Sequence, residues 1–119
     1  MKRYIHANQD LRDEYYKFKM PNGGTYRFAG KVDSVRGFMW GEISKIAPYD
    51  DAEYVWAKIS GNGQVKYIQD GKVIDKAQMW SYEDEDYENV DDYFSDIINE
   101  AAKDLVRYNK DIEPRMVHN

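Results

Sequence analysis

The chain has 119 residues, 42% hydrophobic and 15% aromatic, with a formal net charge of −5 and no cysteine. That is too apolar for a disordered chain and suits one folded core, at a length near the commonest single-domain size. Without cysteine there are no disulfides, thiolate nucleophiles or cysteine-ligated zinc and iron–sulfur sites, and no run reaches the roughly 18 apolar residues of a spanning helix.

Met1 to Ala7 lacks the long apolar segment of a secretory signal, so the expected location is the cytoplasm. No repeat, low-complexity tract or linker interrupts the chain, and residues 1–119 are expected to form one α+β domain. Residues 1–14 read as an N-terminal edge strand or a tail. From Tyr15, the apolar Tyr16, Phe18 and Met20 alternate with Lys17 and Lys19 up to the Pro21-Asn22-Gly23-Gly24 cluster, after which Thr25 to Val32 alternate again. Two strands joined by a glycine-containing loop fit this pattern. Leu11, Tyr15 and Phe18 also fit helical spacing, so a helix over 10–20 is the competing reading.

Strands are predicted at 37–46 and 53–60, separated by the turn-rich Ala47-Pro48-Tyr49-Asp50-Asp51. A hairpin follows Gly61-Asn62-Gly63, because Asp70-Gly71 stands between two β-forming runs and a type I′ turn needs positive φ at both central residues. An unbroken register would set Ile68 against Val73, Tyr67 against Ile74 and Lys66 against Asp75. Strand content is thus expected over 15–82, as an antiparallel meander of five to six strands.

An acidic approach, 83–88, leads into a predicted helix over 89–109. Val90, Phe94, Ile97, Ala101, Leu105 and Tyr108 fall on one helical stripe; Asn89 suits the N-cap, Asp91 and Asp92 the first turn, Arg107 the last. One C-terminal helix covers only one face of a sheet. Yet Phe38 to Ile43 and Tyr54 to Ile59 carry apolar side chains on both parities. A second face must therefore be closed by curling towards a barrel, by a second copy of the chain, by the N-terminal segment or by a partner.

Catalytic chemistry has little to stand on. His6 and His118 lie near the ends and have no nucleophile motif beside them, so no triad, zinc site or cofactor is expected, and the chain reads as a non-enzyme. Asp50, Asp51 and Glu53 lack the spacing of a calcium loop, and the glycine clusters lack the Lys-Ser/Thr of a phosphate loop. Nothing in their spacing recommends Asp33, Glu42 and Asp75 as paired acid–base carboxylates.

Binding remains. Residues 1–48 hold nine basic and five acidic side chains, and residues 49–119 hold eight and seventeen. Across 83–104, ten carboxylates stand against one lysine: Glu83, Asp84, Glu85, Asp86, Glu88, Asp91, Asp92, Asp96, Glu100 and Asp104. Such an array can resemble a phosphate backbone to a basic protein that handles nucleic acid, a mode used by small inhibitors from phages and mobile elements. The sequence-level expectation is a protein-binding module of that kind, with Glu83, Asp84, Glu85, Asp86, Glu88, Asp92, Asp96 and Glu100 as its partner surface. A secondary aromatic surface is assigned to Trp40, Trp56 and Trp80, which would anchor a homodimer or bind nucleic acid or a small ligand. Net acidity makes direct nucleic-acid binding the weaker expectation.

Overall fold

A computed structural model describes residues 11–21, 23–46 and 53–109. It contains six strands, β1 (Leu11–Met20), β2 (Gly24–Asp33), β3 (Phe38–Lys45), β4 (Trp56–Ser60), β5 (Gln64–Gln69) and β6 (Lys72–Gln78). A 3₁₀ turn at Tyr82–Asp84 and one helix, α1 (Val90–Asn109), follow. The strands lie in the sheet in chain order, each antiparallel to the last. This is the predicted α+β meander with its C-terminal helix. The sheet does not close into a barrel, because β1 and β6 remain its two edges.

Alternation decides β1 in favour of strand. Leu11 to Met20 pair with β2 along their whole length. Tyr16, Phe18 and Met20 turn towards the core while Lys17 and Lys19 point away, which the helical reading of 10–20 could not achieve. Of the predicted N-terminal element, residues 11–14 belong to β1 and residues 1–10 lie outside the described residues, as do 47–52. Glu53 falls in a turn, and β4 is shorter than predicted.

The covered face follows from register and period. Tyr16, Phe28, Ile43, Ala57 and Tyr67 stand abreast across five strands, and the core around them includes Tyr26, Val32, Met39, Ile59 and Val65. Helix α1 closes that core with Tyr93, Phe94, Ile97, Ile98, Ala101, Ala102 and Leu105. Asn89 caps it: the Asp92 backbone N–H donates to Asn89 Oδ1 at 3.0 Å. The dry stripe is wider than the predicted one and ends on the fully buried Asn109, while Tyr108 is exposed. Asn109 fastens the end of α1 to the entry of β4. The Val55 N–H donates to Asn109 Oδ1 at 2.8 Å, and Asn109 Nδ2 donates to the Val55 carbonyl at 3.1 Å.

At the last hairpin Asp70 and Gly71 both have positive φ, 54° and 76°, as a type I′ turn demands. Ile68 faces Val73 as expected. The next two pairs do not: Tyr67 faces Asp75 and Lys66 faces Lys76, because a β-bulge leaves Ile74 without an opposite residue. One extra residue reverses the alternation of everything beyond it. Asp75 thereby joins the helix side, where its carboxylate accepts a hydrogen bond from Tyr108 Oη, and Lys76 moves to the opposite face.

The open face of the sheet as candidate functional site

Every side chain that alternates away from α1 lies on a second face that no described element covers. Register places Tyr15, Ala29, Glu42, Lys58, Lys66 and Lys76 in one row across all six strands. Lys58, Lys66 and Lys76 are therefore direct cross-strand neighbours. Lys17 and Arg27 face each other in the adjoining row, and Lys19 and Lys31 lie on the same face. Like charges directly opposite destabilise a sheet, so this arrangement has an energetic cost that nothing in the fold requires. Lys31 pairs with Asp13 at 2.5 Å. Among the described residues Lys17, Lys19, Arg27, Lys58, Lys66 and Lys76 make no ion pair.

Aromatic surface is interleaved with these cations. Tyr15 is 58% exposed and Trp40 40% exposed. Trp40 stands opposite Lys31, and Phe38 packs edge-on against its ring at a centroid distance of 5.8 Å. Trp56 is half-buried on the same face, paired with the buried Ile68. Trp80 is not part of this surface. It packs against the helix-side core and donates from Nε1 to Tyr87 Oη at 2.7 Å. The predicted aromatic surface is thus divided, with Trp40 and Trp56 on the open face and Trp80 elsewhere.

The carboxylates predicted as a partner surface divide as well. Glu83, Glu85, Asp86, Glu88 and Asp92 are exposed and make no ion pair among the described residues. The others serve the fold. Asp84 closes a capping box with Ser81, Asp96 accepts from Tyr87 Oη at 3.0 Å, and Glu100 pairs with Lys103 at 3.6 Å. Asp91 pairs with Arg12, and Asp104 accepts from Tyr67 Oη at 2.7 Å. That bond and burial both raise the Tyr67 pKa, burial being the larger cause.

The acid–base candidates are not brought together. Asp33 is buried at the β2–β3 turn, where Oδ1 accepts the Val35 and Arg36 N–H groups at 3.1 Å and Oδ2 lies 2.8 Å from Arg36 Nε. Glu42 and Asp75 lie on opposite faces. Among the described residues no cluster of His, Asp and Glu could hold a metal ion, and no helix is long and apolar enough to cross a membrane. His6, Asp50, Asp51 and His118 lie outside the described residues. What the sequence concealed was the lysine row, which exists only because the bulge at Ile74 re-aims Lys76. No protein-family model matches the chain, and no curated protein or solved structure is significantly similar to it.

Proposed function

We propose that the protein is a binding module whose open sheet face takes a single-stranded nucleic acid. The observation that carries this reading is the run of three lysines abreast, Lys58, Lys66 and Lys76, with Lys17 and Arg27 in the next row. A chain of net charge −5 that gathers unpaired cations on one sheet face, beside exposed Tyr15 and Trp40, offers what a single strand needs: a charged track for phosphates and rings for bases. Net acidity argues little against it, since ten of the seventeen carboxylates among the described residues lie on α1 and its approach, and the local field is what a ligand meets.

The test is fluorescence anisotropy of a labelled oligothymidylate and oligouridylate at low salt. Wild-type protein is expected to bind, and replacing Lys58, Lys66 and Lys76 together by Gln to weaken binding by at least about tenfold. Absence of binding to either strand would overturn the reading.

A second reading is favoured by one observation, the exposed and unpaired Glu83, Glu85, Asp86 and Glu88. Here the acidic segment engages a protein with a basic surface, as an inhibitor that resembles nucleic acid. Because Asp84 and Asp96 serve the fold, the informative variant replaces Glu83, Glu85, Asp86 and Glu88 by Gln. Under this reading such a variant loses a basic partner yet keeps oligonucleotide binding. Light scattering separates both from self-association through the aromatic face, which would give a stable dimer.

A further inference from the structure

A cleft of about 520 Å³ opens at one end of the same sheet face, beside the exposed Trp40. Leu11, Lys31, Trp40 and the Asp33–Arg36 ion pair line it, together with the backbone of the Gly30–Gly41 pair. Phe38 braces the Trp40 ring edge-on, at 89°. A ring held in this way offers a flat apolar surface in fixed orientation. Cations flank it on both sides. Lys31 is its direct cross-strand partner, and Lys58, which stands opposite Glu42 in the register without an ion pair, lies on the diagonal at a Cα separation of about 7–8 Å. The lysine row therefore ends beside the ring.

We infer that Trp40 is the stacking anchor of the site and that the cleft takes one unpaired nucleobase, with the adjoining phosphates on Lys58 and Lys31. The inference rests on the reading of the sheet face given above and adds to it a requirement for bases as well as charge. A tryptophan on a sheet face can stack only on a base that is out of a duplex, so the site discriminates against paired strands and against polyanions without bases.

The experiment compares oligothymidylate and oligouridylate with an abasic strand of equal length and with a duplex, on wild-type protein, Trp40→Ala, Trp40→Phe and the triple Lys→Gln variant. Circular dichroism confirms that each is folded. Wild type is expected to prefer the unpaired, base-bearing strands over the abasic strand by about tenfold. Trp40→Ala removes that preference, Trp40→Phe keeps most of it, and the triple lysine variant weakens binding to all strands alike. If Trp40→Ala binds as tightly as wild type while the lysine variant does not, the stacking anchor is wrong and the charged face stands. Equal wild-type affinity for the abasic strand has the same meaning. Failure of wild type to bind any strand removes both the anchor and the face.

Discussion

Asn109 is the residue on which the docking of α1 turns. It is fully buried, and its amide satisfies both backbone groups of Val55, which would otherwise be left without a partner at the entry of β4. Truncation to Ala strands a buried N–H and a buried C=O together, so Asn109→Ala is expected to destabilise by about 2–3 kcal/mol in chemical denaturation. A change below about 0.5 kcal/mol would show that water replaces the amide without penalty. No periodicity announces such a residue. In the sequence it is a polar side chain just past the last apolar position of a helix, and the apolar stripe alone points to the exposed Tyr108 instead. Tyr16 and Tyr93 can be read through their protons. Burial is the leading cause that raises both hydroxyls from an ordinary value of 10.0 to about 12, with Glu14 adding to the effect at Tyr16 and Tyr87 at Tyr93. In the folded chain they keep protons that the unfolded chain has released above pH 10. Their contribution is therefore complete below about pH 10 and lost as the pH rises towards about 12. The denaturation midpoint should fall across that window, and Tyr93→Phe should flatten the fall; an unchanged slope in the variant would show that Tyr93 does not contribute to it.

The strands show what a sequence can and cannot disclose. Alternation alone gave β1 and β2 their faces, with Tyr16 and Phe18 inward and Lys17 and Lys19 outward, and Asp70-Gly71 announced the last hairpin. The same logic misplaced Lys66 and Asp75, because a bulge changes no residue type and so leaves no mark in an alternating pattern. Its consequence is the lysine row. Opposite charges abreast would have contributed to the sheet, whereas Lys58, Lys66 and Lys76 oppose one another with only Glu42 at the end of the row. Lys66→Glu, placed between the other two, is thus expected to stabilise the protein by about 0.2–1 kcal/mol at low salt. The same substitution should weaken oligonucleotide binding. Denaturation and anisotropy on one preparation check both halves. Destabilisation by Lys66→Glu would mean that the row is held by something other than ligand binding, and would count against the proposed surface.

At the scale of the molecule, the sheet separates two fields that the sequence presents only as a lopsided count. Cations of β1, β2, β4, β5 and β6 gather on the open face, where Asp13 and Glu42 are the exposed carboxylates among the described residues, while the densest run of exposed carboxylates lies on α1 and the segment before it. Counting charge by halves of the chain anticipated the asymmetry and not its geometry, since Lys58, Lys66 and Lys76 belong to the half that is acidic overall. Two faces of opposite sign make the candidate functions separable by salt. Each phosphate neutralised on a single strand contributes about −0.7 to the slope of log K against log salt concentration. If the three lysines each engage one phosphate, the triple Lys→Gln variant should lower that slope by about 2. Replacing Glu83, Glu85, Asp86 and Glu88 by Gln should leave the slope unchanged and strengthen binding slightly, by removing a repulsive field that acts at longer range than contact. Titrations at four salt concentrations on the three proteins give the answer. A slope that follows the carboxylates instead of the lysines would transfer the function from the sheet to the acidic approach of the helix.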